Sequence, residues 1–219
     1  MNTEFARRQM VGQQVRTFEV SDAAVLEILS ELPREEFVPR GFEALAFADT
    51  RIPLAHGQFM MTPTVEGRLL QMLAVKADDE VLEIGTGSGF LCACLARLAR
   101  SVVSVDIFPD FIQAAGKTLK NVGIENATLA AMDATRQLPQ VPQGQFDAIA
   151  VTGSCPVFDA RFFDALKPDG RLFVIVGTPP VMDAQLVVRD AGGKPQVTSV
   201  FDTNVLPLID TAAAPAFRF

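Results

Sequence analysis

The chain is poor in the residues that hold metals or close disulfides. Its 219 residues include one histidine and three cysteines. So small and odd a cysteine count argues for a reduced, cytoplasmic protein, not a disulfide scaffold. Cys92 and Cys94 stand two apart on a helical pattern and face different ways, so they do not chelate as a Cys-x-x-Cys pair does. With Cys155 they are expected to pack in the core, and no metal site is expected. No apolar run reaches the ~18 residues of a membrane span. The polar, charged stretch Met1 to Arg16 does not read as a secretory signal. Positive charge is short as well: 19 lysines and arginines against 26 acids leave a net charge of −7. That balance argues against a nucleic-acid partner. Arg7, Arg8 and Arg16 read as a solvated helix face, with contact to an acidic substrate as the other option. There is no internal repeat and no low-complexity tract.

Apolar residues, by contrast, are plentiful. They make up 49% of the chain against 21% charged, which supports a sizeable core and excludes a disordered polymer. Helical patterns are expected over 2–15 and 22–32, the second capped by Ser21 or Asp22 and stopped by Pro33. A short element follows at Pro33–Pro39, then a helical patch at 41–47 and a loop without clear period at 49–61. Thr62 and Pro63 open the next helix. From residue 80 strand and helix alternate: strand 80–85, helix 89–99, strand 101–106, helix 110–122, strands 127–132 and 146–152, helix 157–166, strand 171–176. Such alternation predicts a parallel sheet covered on both faces. Gln185–Arg189 and Gln196–Phe201 then flank a turn and predict an antiparallel hairpin.

The most informative stretch is Val81-Leu82-Glu83-Ile84-Gly85-Thr86-Gly87-Ser88-Gly89-Phe90. An apolar strand runs into three alternating glycines and then into a helix, the usual cofactor position at the carboxyl edge of a parallel sheet. The glycines permit positive φ and close approach of a ligand, and free N–H groups at the helix start are expected to face an anion. A dinucleotide fingerprint would place glycine at position 90, which is Phe90, and a P-loop would follow the turn with Gly-Lys-Ser/Thr, which is missing. Glu83 before the turn would repel a pyrophosphate but suit a cation. Some twenty residues on, Asp106 ends the second strand, where an acid takes ribose hydroxyls. A ligand with a ribose, a positive charge and a small carboxylate, without phosphate, fits this set. S-adenosylmethionine is such a ligand.

These blocks, taken together, resemble the protein-L-isoaspartate (D-aspartate) O-methyltransferase family, a branch of the Rossmann-like S-adenosylmethionine-dependent methyltransferases. The likeness runs nearly end to end: Pro33-Arg34-Glu35-Glu36-Phe37-Val38, Phe42 through Asp49, Ile52-Pro53-Leu54, Gly57-Gln58, the glycine turn, Phe146-Asp147-Ala148-Ile149 with Val151-Thr152, Leu166 through Leu172, and Val205-Leu206-Pro207-Leu208. It implies an α/β fold with an N-terminal helical cap and acceptor loop (1–75), a Rossmann-like core (76–219) and antiparallel C-terminal strands, all one domain. It implies further that Glu83, Gly85, Thr86, Gly87, Ser88 and Gly89 hold the methionine part, Asp106 the ribose, and Asp133 with Ala134 the adenine edge. Ile107 would cover a ring face.

The acceptor side departs from the family. After Gly-Gln the family carries Thr-x-Ser, whose serine helps position the isoaspartyl carboxylate; here Phe59-Met60-Met61 stands instead. A thioether does not hydrogen-bond a carboxylate usefully. Gln58, Thr62, Ser154 or backbone N–H groups are candidate replacements, Phe59-Met60-Met61 can alternatively be core, and Met61, Gln58 and His56 mark the expected acceptor site. His56 is a candidate base for a hydroxyl acceptor; an exposed loop histidine is the plainer reading. Three functions stay open: methyl esterification of isoaspartyl residues in proteins or peptides, methylation of a more apolar or small-molecule acceptor, and cofactor binding without catalysis. Oligomeric state is not legible.

Overall fold

The computed structural model describes residues 3–139 and 146–212. Residue 2, where the first helix was expected to start, lies outside them. Its helices are α1 (Thr3–Gln9), α2 (Ala23–Glu31), α3 (Pro63–Leu73), α4 (Phe90–Leu98), α5 (Pro109–Asn121) and α6 (Ala160–Asp164). Its strands are β1 (Ile52–Pro53), β2 (Phe59–Met60), β3 (Glu80–Ile84), β4 (Ser101–Asp106), β5 (Ala127–Ala131), β6 (Phe146–Cys155), β7 (Leu166–Thr178), β8 (Val181–Arg189) and β9 (Pro195–Thr203). The large sheet has the order β5-β4-β3-β6-β7-β8-β9. The first five of these strands are parallel, and β8 and β9 extend the edge antiparallel. This is the expected Rossmann-like layout. The chain order reverses at β3, with β4 on one side and β6 on the other, and that switch point opens a crevice beyond the strand ends.

Burial on both faces explains why the central strands are almost continuously apolar. Val81, Ala148, Ala150, Phe173 and Ile175 share one core with residues of α2, α3, α4 and the N-terminal segment. Leu82, Ile84, Ile149, Val151, Leu172 and Val174 form the other, with Phe162 and Phe163 of α6. Local chemistry sets the helix starts. The Asp22 side chain accepts from the Val25 amide at 3.0 Å and Thr62 accepts from Val65, with Pro63 in the first turn, caps typically worth about 1 kcal/mol. Among the described residues no helix is long and apolar enough to cross a membrane.

Several elements differ from the sequence expectations. The predicted helix over 2–15 changes winding: Met10–Val15 is π-helical and turns Met10, Val11 and Val15 inward. The patch at 41–47 shrinks to one 3₁₀ turn at Glu43–Leu45. The loop at 49–61 contains the β1–β2 hairpin, too short to leave a period, with Ile52 facing Met60 and Pro53 facing Phe59. The helix predicted over 157–166 keeps only five residues, because Leu166 already pairs with Phe146 in the sheet. All three cysteines are buried and unpaired, and burial raises each thiol, that of Cys155 to about 12. Arg7 is tied to Glu4 and Glu35, and Arg8 to Glu4.

Candidate functional site

A cavity of about 330 Å³ lies over the switch point. One wall is the turn from Glu83 to Ser88, continued by Val105–Phe108 and Met132–Thr135 at the ends of β4 and β5. The other wall comes from outside the sheet. Arg51, Leu54, the segment Gln58–Thr62 and Glu66 close it on one side, and Thr203–Ile209 returns to close it on another. Two bonds between Ser154 and the backbones of Leu206 and Leu208, both 2.9 Å, dock that returning segment.

The turn can only be built from glycine at its two ends. Gly85 has φ +99° and a Cβ there would sit 2.2 Å from Thr152 Oγ1; Gly89 has φ +84° and its Cβ would meet Ala115 at 2.8 Å. Thr152 uses that closeness, donating to the carbonyls of Ile84 and Gly85 at 3.0 and 2.9 Å. Within the turn itself most of the amides are already taken. The Gly85 and Thr86 amides bond Val105 O, that of Gly87 bonds Asp106 Oδ2 at 2.9 Å, and that of Gly89 bonds Thr86 O. The turn closes on itself because buried amides need partners, and among the described residues the Ser88 amide is the one amide of the turn left for a ligand, beside the Ser88 hydroxyl proton.

Carboxyls dominate the electrostatics. Glu83 is fully buried; one oxygen accepts from Ser104 Oγ, which also contacts Thr86 Oγ1, and the other, Oε1, has no hydrogen-bond partner among the described residues. Burial pushes its carboxyl up to about 8, with Asp106 adding to the rise. Asp106 is also raised by burial, against the pull of the Gly87 and Phe108 amides that bind its two oxygens. Asp133 accepts from the Thr135 amide and hydroxyl at 2.9 and 2.6 Å and pairs with Arg136 at 2.9 Å. Ala134 is buried beside it.

Below the wall formed by Gln58–Thr62 lies a pair that sequence reading passed over. Arg34, fully buried, donates to Glu66, to Ala46 O at 2.8 Å and to Met61 O at 2.8 Å, and its guanidinium sits 4.6 Å from the Phe90 ring centre. Burial pushes the Glu66 carboxyl up to about 7 against the attraction of Arg34. A lone Pro-Arg in a short helical turn carries no sequence signal for burial, and only the fold shows it.

The predicted site residues divide. Glu83, Gly85, Thr86, Gly87, Ser88, Asp106, Ile107, Asp133, Ala134, Gln58 and Met61 line the cavity together. Gly89 stands behind the wall as the left-handed residue that starts α4. Phe59, Met60 and Met61 line it too, but only Met60 is core; Phe59 is 44% exposed. His56 is corrected, because it does not line the cavity. Its ring stacks on Phe108, 4.0 Å between centres and 5° from parallel, and Nε2 lies 2.9 Å from Asp110 Oδ2, whose carboxyl it holds below the ordinary value. A ring clamped between α5 and the hairpin tip is placed to anchor the loop. Arg51, Thr152 and Thr203–Ile209 were missed as site residues; of these, Thr152 and Val205–Leu208 carry a signal, as part of the family likeness.

With this geometry in place, the family model of protein-L-isoaspartate(D-aspartate) O-methyltransferase matches residues 6–213. The chain belongs to that family. Named protein-L-isoaspartate O-methyltransferases from Myxococcus xanthus and Methanoculleus marisnigri are 36% and 35% identical to it, over 86% and 85% of this chain and 90% and 84% of their own. In structure it resembles a Plasmodium falciparum enzyme of this type, crystallised with S-adenosyl-L-homocysteine. The TM-score is 0.79 at 17% identity, covering 95% of this chain and 98% of that one. That likeness shows the fold. Members of the family are S-adenosylmethionine-dependent methyltransferases, and S-adenosylmethionine is the cofactor. The residues present fit it: a backbone cradle without side chains at Gly85 and Gly87, acids at two strand ends and, among the described residues, a buried carboxyl oxygen of Glu83 without a hydrogen-bond partner and no lysine or arginine against the turn where a phosphate would call for one.

Proposed function

We propose that this protein is a cytoplasmic enzyme, its cap and core working as one unit, that methylates the free carboxylate of isoaspartyl residues in peptides or proteins at the cavity over the switch point. The observation that carries this reading is the joining, in one cavity, of the family's glycine turn and strand-end acids with the Gln58–Thr62 acceptor segment. When bound, S-adenosylmethionine supplies an electrophilic methyl on a positively charged sulfur. Glu83 and the cradle at Gly85–Ser88 would hold the methionine part, Asp106 the ribose, and Asp133 with Ala134 the adenine edge, and Ile107 would cover a ring face.

A carboxylate of pKa about 4 is ionised at neutral pH and needs no general base, which agrees with a site where His56 is turned away. The protein's task is then alignment and exclusion of water. Leu54 helps with both, its Cδ1 lying 3.5 Å from the Cβ position of Gly87, so that the hairpin overhangs the turn. The test is transfer of labelled methyl to an isoaspartyl peptide and to its normal aspartyl twin. Base-labile label on the first alone is expected. Equal labelling of both, or of neither, refutes the substrate assignment, and for neither a screen of apolar carboxylic acids follows.

A further inference from the structure

The β1–β2 hairpin presents its two faces differently. Ile52 pairs with Met60 and both are buried in the core, at 0% and 4% exposure, while Pro53 pairs with Phe59 on the other face. Extending that register by one residue sets Arg51 opposite Met61, on the same face as Phe59. Both Arg51 and Met61 line the cavity. The Arg51 guanidinium rests 5.5 Å from the centre of the exposed Phe59 ring and, among the described residues, makes no hydrogen bond or ion pair. It is also the only basic side chain in the described lining, where Glu66, Glu83, Asp106 and Asp133 supply four carboxyls. Each of those has an internal partner already: Arg34 for Glu66, Ser104 for Glu83, two amides for Asp106, and Thr135 with Arg136 for Asp133.

We propose that Arg51 binds the carboxylate of the methyl acceptor, taking the part that a serine at position 61 plays elsewhere in the family. This rests on the cavity being the isoaspartyl site. A guanidinium offers a planar fork of N–H donors that matches a carboxylate, whereas the Met61 thioether opposite offers none. The Phe59 ring beneath holds the fork's plane by cation–π attraction and leaves its edges free. The exposed aromatic and the substituted serine position thus become one device: losing the hydroxyl is compatible with function because a cation stands across the hairpin from it. As Arg51 is solvent-facing, its pull is screened by salt and belongs to substrate capture more than to the chemical step.

The experiment is steady-state methyl transfer to an isoaspartyl peptide by the parent, Arg51→Gln, Arg51→Lys and Phe59→Ala at low and high ionic strength, with S-adenosylmethionine affinity measured separately by calorimetry. Arg51→Gln is expected to raise the peptide KM about tenfold, leaving kcat and cofactor affinity within about twofold. The parent's KM climbs with salt and that of Arg51→Gln does not. Arg51→Lys recovers part of the loss, and Phe59→Ala, which keeps the charge but removes its platform, raises KM about threefold. A parent that methylates the peptide while Arg51→Gln and Phe59→Ala keep its KM and salt dependence overturns the inference alone. A parent that binds the cofactor but labels no isoaspartyl peptide overturns the substrate reading, and the inference with it.

Discussion

Replacing Glu83 by glutamine keeps the shape and the hydrogen bond from Ser104 but removes a titration, so its effect should be read as a function of pH. Burial raises the Glu83 carboxyl from 4.5 to about 8. Across that window the folded, cofactor-free protein holds a proton that the unfolded chain has released. Stability therefore falls as pH rises through the window, by up to about 1.4 kcal/mol per pH unit for one group, and levels off above the folded value. Glu66, raised to about 7, contributes a fall of the same sign but only up to its own folded value. The interval between about 7 and 8 thus isolates Glu83. Urea unfolding of parent and Glu83→Gln from pH ~5 to ~8.5 is expected to show the variant gaining about 1 kcal/mol on the parent across that last unit. Cofactor binding supplies the second half of the test. A positive charge beside Oε1 favours the ionised carboxyl, so the parent is expected to release a proton on binding S-adenosylmethionine near neutral pH, seen by calorimetry in buffers of different ionisation enthalpy. Glu83→Gln releases none and binds more weakly. Parallel stability curves together with equal proton release by parent and variant would refute the reasoning.

Gly85→Ala places a Cβ 2.2 Å from Thr152 Oγ1 at φ +99° and is expected to cost at least about 2 kcal/mol by thermal unfolding and to abolish cofactor binding; unchanged affinity refutes the cradle. Arg34→Met leaves Glu66 buried without its partner and is expected to cost about 3–5 kcal/mol in urea unfolding. The double variant Arg34→Met/Glu66→Leu recovers most of that loss, and equal losses in the single and double variants would show that the pair is not the cause.

Much was written locally. Alternation from residue 80, the caps at Asp22 and Thr62, and the glycine turn with Glu83 before it and Asp106 after it follow from periodicity, cap chemistry and backbone sterics, all of which act within a few residues. The sheet-side wall of the cavity was legible for the same reason: one strand, one turn and the next strand end lie within about thirty residues and are welded by a parallel register. The opposite wall is assembled from Arg51, the 58–62 segment, Glu66 and a returning chain at 203–209. No short-range rule links these, because their proximity depends on which faces of the sheet and hairpin are buried.

His56 shows the same division from the other side. In sequence it is a lone histidine in the acceptor loop and so a plausible base, while in space Phe108 and Asp110 of another element claim its ring. Arg34 stands in a charged Pro-Arg-Glu-Glu run that carries no sign of its burial, yet it is fully buried. Residue types at fixed spacing are enough for the sheet, the turn and the kind of cofactor. Packing settles which charges face each other, which carboxyls are driven toward neutrality by burial, and that Arg51, without an ion pair among the described residues, stands opposite Met61. Burial and long-range contact are properties of the packed chain, and no window of sequence contains them.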